Sequence, residues 1–216
     1  MKKGIILDLD GVICDTAYFH YLAWKQLAEE YNYELTHSDN EALKGVSRAD
    51  SLRYILEKAN VSIDASKFEA DLVRKNDWYL KLVDTMSEES VLPGVREFFQ
   101  RCAIKRIPLA LGSASKNARL VLQKVGLLHT FHGIVDAGTV TNGKPHPETF
   151  LEAAKLINIK PENCIVFEDS SSGVQAAKSA NMYTVGVGIP QDLPMADEYV
   201  TNLGEYDFAS FEMQIA

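Results

Sequence analysis

The sequence predicts an α/β fold, in which a doubly wound parallel sheet of the Rossmann-like type carries a helical cap inserted after its first strand. Short apolar runs alternate with amphipathic stretches over most of the chain, as in a parallel sheet covered by helices on both faces. One interval near the N-terminus breaks this alternation and shows helical periodicity alone. The length of 216 residues suits one domain that carries a smaller insert.

The elements of the core follow from the apolar runs. Five segments are short and apolar, as expected of buried strands. Amphipathic stretches separate the later segments, and Gly126 ends one of these stretches, as glycine commonly does after a helix. The predicted strands are residues 4–9, 107–111, 133–135, 164–167 and 183–187, and the predicted helices are residues 95–103, 117–125, 148–157 and 173–180.

The cap is predicted from the spacing of apolar residues. Positions i, i+3, i+4 and i+7 are apolar over residues 24–31 and again over residues 52–59. The capping-box pattern from Ser66 to Glu69 predicts the start of a third helix at that point. We therefore expect a helical cap domain over residues 16–86 and an α/β core over residues 1–15 and 87–216.

Composition excludes several classes of function. There are 22 Lys and Arg residues against 30 Asp and Glu, and a net charge of −8 does not suit a surface that binds nucleic acid or anionic lipid. No run reaches the ~18 apolar residues of a membrane span, and Asp8 and Asp10 interrupt the one stretch that could suggest a signal peptide. The three cysteines are far apart and odd in number, which favours buried thiols in a reducing compartment. We expect a cytoplasmic monomer that binds a small molecule and neither nucleic acid nor membrane.

Two pairs of carboxylates follow apolar runs. Asp8 and Asp10 come after the first predicted strand, and Glu168 and Asp169 come after the fourth. Parallel strands end at one edge of a sheet, so these side chains should meet. Two like charges ~4 Å apart repel by about 4 kcal/mol at an effective dielectric of about 20, and a hard cation relieves this repulsion. The sequence therefore predicts a Mg²⁺ site, although each pair alone also fits a solvated strand end or a helix N-cap.

Two further segments favour a bound phosphate. Ser113 follows a predicted strand and precedes a helix, where a hydroxyl and free backbone N–H groups form an anion site. Lys144 lies in a proline-flanked loop before another helix. Taken alone, Ser113 fits an ordinary N-cap and Lys144 fits a solvated surface charge. Together with the carboxylates, however, they place polar residues at the ends of four successive strands.

These four segments resemble the sequence motifs of the haloacid dehalogenase superfamily, and the resemblance covers essentially the whole chain. It implies that Asp8 is the nucleophile and forms an aspartyl phosphate, while Asp10 is the general acid and base. Asp8, Asp169 and the backbone carbonyl of Asp10 would hold Mg²⁺, with Glu168 nearby or acting through water. An Asp at the position of Asp10 favours transfer between oxygens, as in phosphatases and phosphomutases.

The remaining core motifs and the cap have roles in the same resemblance. Ser113 and Lys144 would bind the transferring phosphoryl oxygens. The cap resembles that of sugar phosphomutases in this superfamily, which interconvert β-glucose 1-phosphate and glucose 6-phosphate through glucose 1,6-bisphosphate. Arg48 would clamp the phosphate that is not transferred, because a planar guanidinium suits phosphate. Thr16 would lie at the hinge, His20 and Lys75 would position Asp10, and Lys44, Gly45, Ser51, Ala114, Ser115 and Asn117 would hold the sugar phosphate.

Three hypotheses for the function remain open on sequence alone. A sugar-phosphate phosphatase would use the same core residues but has no need of a second phosphate site. A catalytically silent Mg²⁺- or phosphate-binding module would not need an intact nucleophile. Lys44 and Arg48 also fit exposed charges, Thr16 fits a helix cap, and His20 with Trp24 fits a packing pair on a helix face.

Three features lie outside these motifs. His146 and Glu148 depart from the small residues expected beside Lys144. The pair His129 and His132 has a spacing compatible with metal ligation, but we expect it to form a loop without a chemical role. The sequence after residue 188 carries no recognisable motif.

Overall fold

The computed structural model describes residues 3–211, apart from the side chain of Ser210. Six parallel strands form one sheet in the order β3-β2-β1-β4-β5-β6. This arrangement, with helices on both faces, confirms the predicted doubly wound fold. The strands are β1 (Gly4–Leu7), β2 (Leu109–Gly112), β3 (Gly133–Val135), β4 (Cys164–Glu168), β5 (Tyr183–Val187) and β6 (Glu198–Val200).

The centre of the sheet is where the chain changes direction. Strand β1 pairs with β2 on one side and with β4 on the other, so that Leu7 lies opposite both Leu111 and Phe167. All four residues of β1 are buried, as its apolar sequence requires. The crevice beyond the carboxyl ends of β1 and β4 is therefore the switch point of the sheet, the usual ligand site of this architecture.

Five helices accompany the sheet. The bounds of four of them agree with the predicted ones to within a few residues at each end, whereas the short helix at Phe208–Phe211 was not predicted. Helix α8 (Ser171–Ser179) starts earlier than predicted, because the Ser170 side chain accepts the backbone N–H of Gly173 and caps the helix. These helices are α5 (Val95–Lys105), α6 (Ala118–Lys124), α7 (Glu148–Leu156), α8 (Ser171–Ser179) and α9 (Phe208–Phe211).

The segment without a sequence motif contributes to the core. Strand β6 extends the sheet beside β5. The buried ring of Tyr206 packs edge-on against Phe167, with ring centroids 4.9 Å apart, and Phe98 and Phe208 complete an aromatic cluster. The short β6 and its polar neighbours explain why the apolar pattern did not predict this strand.

Four helices lie between β1 and α5: α1 (Thr16–Glu30), α2 (His37–Leu43), α3 (Arg48–Lys58) and α4 (Ala65–Val83). They share an apolar cluster of their own, which includes Leu27, Leu52 and Ile55. This separate cluster supports the division into cap and core, and the bounds of 16–86 for the cap and of 1–15 and 87–216 for the core stay a prediction.

Two details of the cap differ from the predictions. Helix α2 was not predicted, because it is short and polar and begins with a capping box between Thr36 and Asp39. The predicted helix start at Ser66 is wrong. Asp64 is the N-cap of α4 and accepts the backbone N–H of Lys67 at 2.8 Å, so the helix begins at Ala65.

The described chain also bears on two expectations from composition. Among residues 3–211, every helix is too short or too polar to cross a bilayer. The three cysteines are buried and unpaired, as predicted.

Candidate active site

The predicted catalytic residues of the core meet at the switch point of the sheet. Asp8 follows directly after β1, Glu168 is the last residue of β4, and Lys144 reaches them from the loop between β3 and α7. All three side chains are buried. The ammonium of Lys144 donates to Asp8 Oδ1 at 2.5 Å and also to Glu168 Oε1. One buried cation therefore bridges two buried carboxylates.

The other oxygen of Glu168 is held by the start of α8. Glu168 Oε2 accepts hydrogen bonds from the backbone N–H and the hydroxyl of Ser170, both at 2.8 Å. A side chain on Gly173 would overlap the Glu168 carboxylate, so glycine is required there. With both oxygens engaged, Glu168 is suited to fixing Lys144, and its place as a direct metal ligand stays a prediction.

The carboxylates outnumber the cations in this part of the site. One oxygen each of Asp8, Glu168 and Asp169 lies within 4.8 Å of the others. Burial, with repulsion from Glu168 and Asp10 and against the attraction of Lys144, raises the pKa of Asp8 to about 8. Burial and the neighbouring Glu168 and Asp8 raise the pKa of Asp169 well above its usual value. An oxygen-rich site with surplus negative charge fits a hard divalent cation such as Mg²⁺.

Asp10 lies where the core meets the cap. Its Oδ1 accepts a hydrogen bond from the buried Thr16 hydroxyl at 2.5 Å and lies 3.7 Å from His20 Nε2. Burial raises the pKa of Asp10, while Thr16 and then Lys144 act against that rise. Thr16 is the first residue of α1, but its hydroxyl is used on Asp10 and not as a cap of the helix.

Besides Lys44, the cap contributes three basic groups to the site, which are His20, Arg48 and Lys75. Lys75 Nζ lies 2.7 Å from His20 Nδ1 and 4.5 Å from the centre of the Trp24 ring, and the His20 ring stacks on Tyr79. Burial, with the cation of Arg48, lowers the pKa of Lys75 well below its usual value. Burial, with Lys75 and Arg48, does the same to His20.

Lys75 and Arg48 differ from His20, which lies near the Asp10 carboxylate. Burial lowers the pKa of Arg48. Within residues 3–211, neither Lys75 nor Arg48 forms an ion pair with a carboxylate. Burying a cation without a counterion is unfavourable, so this group of cations is a ready site for an anionic ligand.

The loop after β2 is organised by its own serines. Ser113 Oγ accepts the backbone N–H of Ser115 at 3.1 Å, and Ser115 Oγ accepts that of Asn117 at 3.2 Å. The Asn117 side chain donates to Asn76 of the cap at 2.9 Å. This loop therefore connects Ser113, a candidate phosphate-binding residue of the core, with helix α4 of the cap.

Most of the predicted residues line one cavity of about 390 Å³ between cap and core. The predicted residues at its wall are Asp8, Asp10, His20, Lys44, Gly45, Arg48, Ser51, Lys75, Ala114, Ser115 and Asp169. Thr16, Ser113, Asn117, Lys144 and Glu168 lie behind that wall and contact the residues that form it. The structure thus brings all of the predicted site residues to one place.

Sequence reasoning missed two residues of the site. Tyr79 supports the His20 ring, and its position four residues after Lys75 on α4 is the signal that could have found it. Ser172 donates to the backbone carbonyl of Lys44 in the cap, and nothing in a serine-rich turn distinguishes this serine from its neighbours.

The residues outside the motifs have structural roles. Glu148 accepts the backbone N–H groups of Thr141 and Asn142, which holds the loop that leads to Lys144. His132 Nδ1 accepts the backbone N–H of Leu109 at 3.2 Å, and the expectation that His129 and His132 have no chemical role stays a prediction.

Comparison with known proteins places this geometry in a family. The family model described as haloacid dehalogenase-like hydrolase matches residues 5–187. A β-phosphoglucomutase of Bacillus subtilis is 39% identical over 90% of this chain and 87% of its own length. A fructose-1-phosphate phosphatase of Escherichia coli is 31% identical over 85% of this chain and 95% of its own length. The crystal structure of a β-phosphoglucomutase from Clostridium difficile is 40% identical, covers 100% of this chain and 97% of its own, and has a TM-score of 0.94. The chain belongs to the haloacid dehalogenase-like hydrolase family.

Proposed function

We propose that this protein is a Mg²⁺-dependent β-phosphoglucomutase, which interconverts β-glucose 1-phosphate and glucose 6-phosphate. The observation that carries the proposal is the pair of basic groups on the cap side of the cavity, the buried Lys75 and the half-buried Arg48, which form no ion pair among the described residues and face a core side that holds Asp8. A mutase must bind a sugar that carries two phosphates, one at the nucleophile and one away from it. The Bacillus and Clostridium relatives, at 39% and 40% identity, support the same activity.

In the proposed reaction, phosphorylated Asp8 transfers its phosphoryl group to the C6 hydroxyl of β-glucose 1-phosphate, and Asp10 accepts the hydroxyl proton. The bisphosphate then turns over, so that Asp8 attacks the phosphorus at C1. The bond from phosphorus to the sugar oxygen breaks, and Asp10 returns the proton to that oxygen. The raised pKa of Asp10 supports its holding a proton between these steps.

The surrounding residues support the transfer. The contact with Thr16, with His20 close by, positions Asp10. Lys144 offsets charge on Asp8 and on the phosphoryl oxygens. Asp8 and Asp169 would hold Mg²⁺, which when bound neutralises charge on the transferring group.

A coupled assay tests the proposal directly. Purified protein receives β-glucose 1-phosphate, Mg²⁺ and a trace of glucose 1,6-bisphosphate, and glucose 6-phosphate is followed with its dehydrogenase. We expect steady formation of glucose 6-phosphate with little free phosphate. Release of inorganic phosphate without glucose 6-phosphate would contradict the mutase.

A sugar-phosphate phosphatase is the second candidate, because relatives of that kind match most of the chain. Besides the Escherichia coli enzyme, a phosphorylated-carbohydrate phosphatase of Thermotoga maritima is 32% identical over 83% of this chain. A phosphatase has no second phosphate to bind, so replacing Arg48 should affect a phosphatase much less than a mutase.

A further inference from the structure

The cap loop that begins at Lys44 lies directly on the first turn of α8. Ser172 Oγ donates a hydrogen bond of 2.9 Å to the backbone carbonyl of Lys44. Gly45, at φ +68°, packs so closely that a Cβ there would lie 2.6 Å from Ser172 Oγ and would also overlap Ser170 Oγ. The approach of cap to core at this point therefore depends on a glycine and a hydroxyl that face each other.

The same hydroxyl ends a line of polar contacts from the centre of the site. Lys144 donates to Glu168, and Glu168 in turn accepts from Ser170. The hydroxyls of Ser170 and Ser172 lie 3.4 Å apart, and Ser172 reaches the cap at Lys44. The first turn of α8 thus holds Glu168, which binds the buried Lys144, and also contacts the cap loop.

Ser172 is not the residue that caps this helix. The N-cap of α8 is already provided by Ser170, whose side chain accepts the backbone N–H of Gly173 at 3.1 Å. Ser171 precedes Ser172 in the same first turn and is exposed, whereas Ser172 is half-buried against the cap. Of these two adjacent serines, only Ser172 donates a hydrogen bond to the cap.

We propose that Ser172 is a positioning residue, which holds the cap loop at Lys44 and Gly45 against the core while Asp8 is phosphorylated. This inference rests on the proposed function, since it concerns how the phosphoenzyme divides between two acceptors. In either path the bond from phosphorus to the Asp8 oxygen breaks, a bond forms to a sugar oxygen or a water oxygen, and the acceptor proton passes to Asp10. A cap loop held in place favours the sugar, because a closed site excludes water.

Three variants isolate the hydroxyl. Ser172→Ala removes it and leaves the helix cap intact, and Ser171→Ala is the matched control in the same turn. Ser172→Thr restores a hydroxyl at the same position. With β-glucose 1-phosphate and Mg²⁺, we expect Ser172→Ala to raise the ratio of inorganic phosphate to glucose 6-phosphate by about fivefold, the factor that one hydrogen bond supplies. Ser171→Ala should match the wild type, and Ser172→Thr should recover most of the loss.

A second measurement does not depend on the reaction. The backbone N–H groups of Lys44 and Val46 donate to Glu41 and Leu43, so their hydrogen exchange reports on the cap loop. We expect about fivefold faster exchange at these amides in Ser172→Ala and no change in Ser171→Ala. Unchanged exchange, or a product ratio in Ser172→Ala equal to that of the control, would overturn the proposal.

The two measurements separate this inference from the proposed function. If the wild type forms no glucose 6-phosphate at all, the mutase is wrong, and exchange at the cap loop alone decides the role of Ser172. If the wild type forms it and Ser172→Ala divides its products like the control, only the role of Ser172 is wrong.

Discussion

The two walls of the cavity are charged in opposite ways. On the core wall, buried carboxylates outnumber the one lysine among them, and the pKa values of Asp8 and Asp169 are raised. On the cap wall, Lys75 and Arg48 form no ion pair with a carboxylate of the described residues, and the pKa values of Lys75 and His20 are lowered. The core wall lacks a cation that would balance its carboxylates, and the cap wall lacks an anion that would balance Lys75 and Arg48. The charges of the core wall favour a bound cation and those of the cap wall a bound anion, in agreement with the proposed Mg²⁺ and the proposed phosphorylated substrate.

The largest expected effect is on the core wall. Asp8→Asn should reduce phosphoryl transfer by about 10⁴-fold or more, because it removes the nucleophile. Asp15→Asn, at an exposed carboxylate at the start of α1, is the control and should retain activity. Acid-stable labelling with a phosphoryl donor should be lost only in Asp8→Asn. Turnover by Asp8→Asn at the wild-type rate would refute the assignment of the nucleophile.

The next effect is the stabilisation of the protein by Mg²⁺, which should depend on the core wall and not on the cap wall. Mg²⁺ at 100 times its dissociation constant should stabilise the wild type by about 2.7 kcal/mol, which for a chain of this size raises the melting temperature by roughly 5–10 °C. Asp169→Asn should lose most of this gain, whereas Arg48→Ala on the opposite wall should keep it. Melting curves with Mg²⁺ and with a chelator measure both variants. Equal stabilisation of Asp169→Asn would mean that Mg²⁺ binds elsewhere.

The cap wall is tested by a smaller change in catalysis. Arg48→Ala should lower kcat/KM for β-glucose 1-phosphate by about 10- to 100-fold, because it removes a charge-assisted contact to phosphate. Arg53 lies on the same helix but is exposed and pairs with Asp50, so Arg53→Ala is the matched control. A loss shared equally by both variants would show that general charge, and not the cavity, is responsible.

The smallest expected effect is on stability, at a carboxylate of the cap that accepts hydrogen bonds from its neighbours. Asp39 is buried, and although burial acts to raise its pKa, hydrogen bonds from Thr36, Tyr33 and Tyr54 outweigh burial and lower it. Asp39→Asn should therefore reduce the free energy of unfolding by about 1–3 kcal/mol at neutral pH.

The pH dependence of this contribution has a definite sign. Because the folded pKa of Asp39 lies below the unfolded value of about 3.9, the contribution is complete above that value and is lost as the pH falls through the folded pKa. Denaturant titrations at pH 7 and pH 3 should show the difference between wild type and Asp39→Asn shrinking at the lower pH. Asp50→Asn, at an exposed carboxylate, should change stability little at either pH.

The sequence predicted the core wall better than the cap wall, and the reason is physical. Asp8, Asp169 and Ser113 each follow directly after a buried strand, so the strand ends alone indicated that they would meet. The fold and its parallel sheet followed from the same apolar runs.

The cap wall depends on how helices face one another, which periodicity does not determine. The stacking of His20 on Tyr79 and the contact of Ser172 with Lys44 cross between elements far apart in the chain. Local signals were also ambiguous where two polar residues competed for one role, as Asp64 and Ser66 did at the start of α4. Helix α2 and strand β6 were too short to show a period.

The position of Trp24 has a practical consequence. The chain contains only two tryptophans, Trp24 and Trp78, and both lie on cap helices. Trp24 also lines the cavity beneath the Lys75 ammonium. Indole emission from this protein is therefore a signal from the cap alone, and Trp78→Phe would leave one intrinsic fluorophore at the cavity wall. Stopped-flow mixing could then time the arrival of the sugar phosphate without any attached dye.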